Sequence, residues 1–151
     1  MLDPGDAAPD FDLSGAVGPA RLSDVWHDRK VILAFYTEDN TPLCATEISM
    51  LRDDYDVIQE LDAEVIAVSA DGPDAHRDFA ERLGGVPFLL VSDEKLAAAG
   101  VYGVVDDAGK RSRRAVFVID QGGVVLHAER WFQPANPAQY EAIFRALGLK
   151  V

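Results

Sequence analysis

Cysteine is almost absent: Cys44 is the single one among 151 residues. An internal disulfide, a Cys-x-x-Cys redox pair and a multi-cysteine metal site are thereby excluded. Histidine is scarce too. His27, His76 and His127 do not pair at ligand spacing, and Asp74, His76 and Asp78 alternate along a helix without sharing a face, so no metal is expected. No apolar run approaches the roughly 18 residues of a membrane span. The N-terminal stretch MLDPGDAAPDFDL lacks the basic and apolar regions of a signal peptide, so the expected location is cytoplasmic. Positive charge is in short supply. Fourteen Lys and Arg stand against 26 Asp and Glu, a net charge of −12, which argues against nucleic acid and anionic membrane as partners. Phosphate-loop and dinucleotide glycine patterns are missing, since Gly109-Lys110 lacks both the upstream glycine and the following Ser or Thr. Asp53, Asp54 and Asp56 read as a solvated helix face, not a calcium loop.

What is present suits one globular domain over residues 1–151. Apolar residues make up 48% of the chain, and a chain of this length buries about two-thirds of its unfolded surface. Ala8–Leu13 reads as an edge strand and Leu22–Trp26 as a short helical turn. Lys30–Tyr36 (KVILAFY) is a continuous apolar run, as in a strand buried on both faces. One long helix is expected next, with Ile48, Leu51, Tyr55, Ile58 and Leu61 along one face. Thr41 is placed to be its N-cap and Pro42 its first residue. Glu64–Ser69 and Phe88–Val91 read as further strands. Between them Asp71-Gly72-Pro73 opens a helix with Ala75, Phe79 and Leu83 inward, ended by Gly84-Gly85. Asp93 caps a short helix ending at Gly100. Ala115–Asp120 and Val124–Ala128, joined by Gln121-Gly122-Gly123, form a hairpin, and Asn136-Pro137 starts a last helix bearing Tyr140, Ile143, Phe144 and Leu147. This order predicts an α/β protein of thioredoxin-like fold, a mixed central sheet flanked by helices.

Cys44 falls in the first turn of the long helix. A thiolate there is stabilised by the helix dipole and free N–H groups. The other reading is a buried, inert cysteine acting as a small hydrophobe. Thr41, three residues earlier, can bond a thiolate or a bound oxygen, or can simply cap the helix, a role worth about 1 kcal/mol. Glu38 and Asp39 raise the Cys44 pKa if they lie close in space. The run Lys110-Arg111-Ser112-Arg113-Arg114 reads by itself as solvated surface. For Trp131-Phe132, core packing is favoured over an exposed interface patch.

The segment from Tyr36 to Asp93 (YTEDNTPLCATEISM through PFLLVSD) resembles the core of a peroxiredoxin of the bacterioferritin-comigratory-protein branch, also called peroxiredoxin Q. The DNTPxC stretch, the EVIAVSAD strand, the HxxFAE helix and PFLLVSD occur in order, followed by GVYG and RAVFVID. The likeness runs from about Gly5 to Leu147.

The resemblance implies a thiol-dependent peroxidase and antioxidant enzyme. Cys44 is then its redox-active peroxidatic cysteine, and no cofactor is required. Thr41 and Arg114 match the family's catalytic threonine and arginine, and a guanidinium fork suits a transition state of oxyanion character. Glu47 matches a residue that can pair with and orient Arg114; its plainer role is a carboxylate in the first helical turn. Three positions depart from the pattern. Thr37 stands where the family has a proline that shields the thiolate, Leu43 replaces the glycine before the cysteine, and Ser49 occupies the place of a resolving cysteine. A sulfenic acid at Cys44 must therefore meet an external thiol (thioredoxin, glutaredoxin or a small thiol) or a second chain's Cys44. The expected partners are a peroxide and that reductant, with the protein a monomer or weak homodimer. The rival reading is a family member without peroxidase activity, serving as a redox sensor or binding module. A thiol-disulfide oxidoreductase is disfavoured by the missing Cys-x-x-Cys.

Overall fold

The computed structural model describes residues 2–15 and 18–149. A sheet of seven strands forms the centre: β1 (Asp12–Gly15), β2 (Gly18–Arg21), β3 (Lys30–Phe35), β4 (Ala63–Ser69), β5 (Leu89–Ser92), β6 (Ala115–Ile119) and β7 (Val125–Glu129), in the order β2-β1-β5-β4-β3-β6-β7. β3, β4 and β5 run parallel, and β6 is antiparallel to β3. The helices are α1 (Leu22–Trp26), α2 (Pro42–Asp53), α3 (Tyr55–Glu60), α4 (Pro73–Arg82), α5 (Ala97–Tyr102) and α6 (Pro137–Ala146).

The unbroken apolar sequences of β3 and β6 follow from burial on both faces. Alternate residues feed two cores. Ile32, Ala34, Tyr36, Val116 and Val118 pack beneath α2, α3, α4 and α6 with Ile48, Phe79 and Phe144. Val31, Leu33, Phe35, Phe117 and Ile119 pack on the other face with Leu22, Ala99 and Tyr102. The mixed sheet with helices on both faces is the thioredoxin-like arrangement expected. No helix among the described residues is long and apolar enough to cross a membrane.

Several boundaries differ from the sequence reading. The edge strand expected at Ala8–Leu13 pairs only from Asp12, where it forms a hairpin with β2. Pro9 lacks an N–H for a ladder, and the Asp10 carboxylate turns the chain by accepting from the Ser23 N–H at 2.8 Å. The single long helix breaks into α2 and α3 at Asp54, whose backbone (φ −100°, ψ 13°) leaves the helical range. The Tyr140 hydroxyl, on α6, reaches both sides of that break, 3.0 Å from the Met50 carbonyl and 2.7 Å from the Asp54 carboxylate. α4 turns His76 and Phe79 inward, while Ala75 is exposed. Asp93 does hold α5, accepting from Ala98 and Ala99 N–H groups at 3.1 and 2.8 Å, but the helix runs on to Tyr102 before Gly103, at φ +71°, stops it.

Register sets the site. Phe35 pairs with Ala115 across β3 and β6. Thr37, just beyond β3, and Arg114, just before β6, therefore emerge at the same end of the sheet. Ser69 and Ser92, the last residues of β4 and β5, face each other at that end too.

Candidate active site

Three residues with helical geometry open α2, and Cys44 is the third of them, buried completely. Thr41 occupies the N-cap position in extended conformation, but its side chain makes no capping bond. The hydroxyl instead donates to the Glu38 carbonyl at 3.0 Å. The expected cap is thus a backbone position only, and the hydroxyl is turned into the loop ahead of the helix.

The thiol has Thr37 as a polar neighbour, its Oγ1 lying 3.0 Å from Cys44 Sγ. Burial alone pushes the thiol up. Hydrogen bonds from the Thr37 and Thr41 side chains and from the backbone of Glu38 and Thr37 outweigh that, and the thiol lies below its ordinary range. Thr41 has one hydroxyl proton and two acceptors in reach, the Glu38 carbonyl and the thiolate. The expectation that Glu38 and Asp39 carboxylates raise the thiol is not met. Glu38 forms an ion pair with Arg111, and Asp39 is turned into a separate buried cluster. Of Glu38, it is the backbone that acts on Cys44, and it acts in the opposite direction.

Glu47 lies one turn beyond the first, on the Cys44 face of α2. It is 1% exposed, and neither carboxylate oxygen has a hydrogen-bond partner among the described residues. Burial, reinforced by Cys44 and opposed by Arg114, holds its carboxyl well above the usual range. Among the described residues no ion pair joins Glu47 to Arg114; the two interact through the field alone. Ser49 sits half-buried farther along α2.

The basic run resolves into separate roles. Arg111 meets Glu38. Arg113 meets Asp107 at 3.1 Å and lies over the Trp131 ring, 4.2 Å from its centroid. Arg114 has no ion pair among the described residues, and its buried Nε is unpartnered. Two contacts lash this run to the cysteine loop: the Arg111–Glu38 pair, and the Ser112 hydroxyl donating to the Tyr36 carbonyl at 2.7 Å. Thr37, Asp106, Arg113, Arg114, Trp131, Phe132 and Gln133 line a pocket of about 180 Å³. Thr37 thus stands between this pocket and the thiol. The Trp131-Phe132 pair is split: Phe132 is in the core and Trp131 is 61% exposed. Larger pockets of about 480 and 640 Å³ lie elsewhere and are lined by neither Cys44 nor Arg114. Among the described residues no group of three or more His, Cys, Asp or Glu is placed to hold a metal.

One cluster escaped the sequence reading. Tyr36 donates to Asp39 Oδ1 at 2.6 Å, and His76 Nδ1 lies 2.8 Å from Asp39 Oδ2, all of it buried. Burial, then the Asp39 charge, pushes the Tyr36 phenol well up, keeping it a neutral donor. The available signal was the period of α4. Phe79 marks its inward face, and His76, three residues before, shares that face.

The chain matches the family model described as the AhpC/TSA family over residues 4–128. It is 38% identical over 132 residues to "Peroxiredoxin Bcp" of Bacillus subtilis (strain 168), covering 83% of each chain. To "Peroxiredoxin Q, chloroplastic" of Oryza sativa subsp. japonica it is 35% identical over 132 residues, 86% of this chain but 60% of that one. The chain thus spans about 60% of the length of such chloroplastic relatives. Its structure superposes on that of peroxidoxin BcpB from Mycobacterium tuberculosis with a TM-score of 0.88, at 29% identity and full coverage of both chains. A lone cysteine at a helix start, set at the end of a thioredoxin-like sheet, is thereby placed in its lineage: the chain belongs to the AhpC/TSA family, among the peroxiredoxins of the Bcp and Q type.

Proposed function

We propose that the protein is a thiol-dependent peroxidase that reduces hydrogen peroxide and organic hydroperoxides through Cys44. The observation that carries the reading is the state of this thiol: buried, at the start of α2, yet held below its ordinary range by hydrogen bonds from the Thr37–Thr41 loop. Only the thiolate is nucleophilic, and this loop favours it.

The Cys44 thiolate attacks the terminal peroxide oxygen. An S–O bond forms, the O–O bond breaks, sulfur is oxidised by two electrons, and RO⁻ leaves to take a proton as water or alcohol. Arg114 offers fixed N–H donors to the oxygens as charge shifts between them. Thr41 turns its one proton between the loop carbonyl and the peroxide, and Glu47, its carboxyl held toward the protonated form, lies within the field of Arg114. With Ser49 in the place of a second thiol, the sulfenic acid is resolved from outside. One external thiol displaces water to give a mixed disulfide, and a second releases Cys44 as the thiol. The reductant is thioredoxin, glutaredoxin or a small thiol, and the working place is the cytoplasm.

Single-turnover oxidation tests this reading. Reduced protein is mixed with hydrogen peroxide and the sulfenic acid is trapped and counted by intact mass. Oxidation far faster than that of a free thiol is expected, none in Cys44→Ser, and a loss of about 10²-fold in Arg114→Met, the usual cost of one oxyanion donor. The complete burial of Cys44 behind Thr37 favours one other reading, a slowly oxidised redox sensor. Wild-type oxidation at the free-thiol rate would decide for it.

A further inference from the structure

The buried Tyr36–Asp39–His76 cluster touches none of the reacting groups, and the mechanism above does not use it. Its cost is considerable, because two ionisable side chains, 2% and 0% exposed, have been taken out of water. The ring of His76 is fixed at both nitrogens. Nε2 lies 3.0 Å from the Val91 carbonyl, which can only accept, so Nε2 carries a proton. The Nδ1–Oδ2 contact at 2.8 Å requires a second proton, on the ring or on the carboxyl. The Tyr36 hydroxyl, donating to Oδ1, lies 3.1 Å from Nδ1. Asp39 is held through its backbone as well: its N–H donates to Asp71 Oδ2 at 2.9 Å, and that oxygen also accepts from Ser69 Oγ at 2.6 Å. Asp71 and Tyr36 are the other titratable groups bonded to the cluster.

Asp39 is therefore tied to Tyr36 just past β3, to His76 of α4, and through Asp71 and His76 to Ser69 of β4 and Val91 of β5. It lies at the centre of the loop from Thr37 to Thr41, and every group that lowers the Cys44 thiol belongs to this loop. Immediately after Asp39 the chain turns through Asn40 at φ +67°, a left-handed conformation that Asn tolerates better than most side-chain-bearing residues. The turn sets the direction in which the loop leaves Asp39 for Thr41. We propose that Asp39, His76 and Tyr36 form a positioning clamp, which sets the reactivity of Cys44 from α4 by holding the Thr37–Thr41 loop in the conformation that aims its hydroxyls and amides at the thiolate. The proposal rests on the reading of Cys44 as a reactive thiolate. None of the three residues is catalytic.

Two amide substitutions at His76 separate positioning from support. The amide nitrogen of Gln takes the place of Nε2 and keeps the bond to Val91, losing Asp39. That of Asn takes the place of Nδ1 and keeps Asp39, losing Val91. Three quantities are measured for the reduced 151-residue chain: the pH midpoint of the thiolate ultraviolet absorbance, the single-turnover rate with hydrogen peroxide, and the thermal midpoint. The clamp predicts that His76→Gln raises the thiolate midpoint and slows oxidation by about tenfold or more, since a misplacement of about 1 Å can cost 10²-fold. His76→Asn keeps both quantities near wild type, although it too melts earlier. If both variants keep the wild-type midpoint and rate while melting earlier, the cluster is a structural prop and the proposal falls. If His76→Gln does not fold, Tyr36→Phe, which removes one hydroxyl, must raise the midpoint; an unchanged value overturns the clamp. Should the wild type itself oxidise no faster than a free thiol, the peroxidase reading fails, but the thiolate midpoints still decide the clamp.

Discussion

Replacing Thr37 with valine deletes one hydroxyl and preserves shape. In the folded protein that hydroxyl lies 3.0 Å from the Sγ of the fully buried Cys44, while Thr37 itself is half-buried. A hydrogen bond to a charged acceptor contributes about 1.5–3 kcal/mol net. Its loss acts on the thiolate and hardly on the thiol, so the ionisation constant of Cys44 should fall by about 10- to 100-fold. The rate falls less than that. A more basic thiolate is a better nucleophile, and a Brønsted slope of about 0.4–0.5 recovers roughly half of the logarithmic loss. Below both thiolate midpoints, oxidation by hydrogen peroxide should therefore slow by about 3- to 10-fold. Well above both midpoints, the variant should equal or exceed the wild type. The assay is a pH series of single-turnover rates alongside thiolate absorbance. Thr37→Pro, which introduces the proline that the family resemblance implies for this position, also removes the Thr37 backbone N–H and should raise the midpoint further. A Thr37→Val thiolate midpoint equal to that of wild type would refute the reasoning, leaving the hydroxyl a neighbour of the sulfur without influence on it.

Further predictions concern stability and pH. Lys30 Nζ donates to the Leu61 and Leu147 carbonyls at 3.0 and 2.7 Å, tying the ends of α3 and α6 to β3. Lys30→Met should cost about 2 kcal/mol and lower the thermal midpoint by roughly 4–8 °C for a domain of this size, read by calorimetry. Glu47 holds its proton more tightly folded than unfolded. Its contribution to stability is complete below the unfolded carboxyl pKa and is lost as pH rises through the raised folded value. Glu47→Gln should therefore melt progressively higher than wild type as pH is raised from 5 to 9; parallel melting curves across that range would contradict it. Removing the Asp93 carboxylate by Asp93→Ala should cost about 1–2 kcal/mol, as for a lost helix cap, and denaturant unfolding would measure it.

Much of this architecture is readable along the chain because its signals are local. The apolar runs of β3 and β6 announce strands buried on both faces, and Pro42, Pro73 and Pro137 each mark a helix start that the structure repeats. Less legible are elements whose conformation depends on partners far away in sequence. β1 and β2 are four residues each, with no periodic apolar pattern, and exist by pairing with each other and with β5. The break at Asp54 is accompanied by Tyr140, some eighty positions later, bridging from α6. His76 displaced Ala75 from the inward face because a polar ring can be buried when Asp39, Tyr36 and Val91 satisfy it.

For the site, the division falls along the same line. Sequence alone determined that any thiol chemistry within these 151 residues rests on Cys44, with no second cysteine among them to resolve it, and the expectation that Cys44 stands at a helix start close to Thr41 was met. These are matters of composition and short spacing, which survive without knowledge of the fold. Which charges matter was a tertiary decision. Register carried Arg114 to the mouth of the Thr37 pocket, while Arg111 and Arg113, in the same run, were taken up by Glu38 and Asp107. Folding likewise turned Asp39 away from the sulfur and set the Thr37 hydroxyl against it. Ionisation of a buried group depends on the few atoms around it, and for Cys44 those belong to the Thr37–Thr41 loop, which the fold closes over the start of α2.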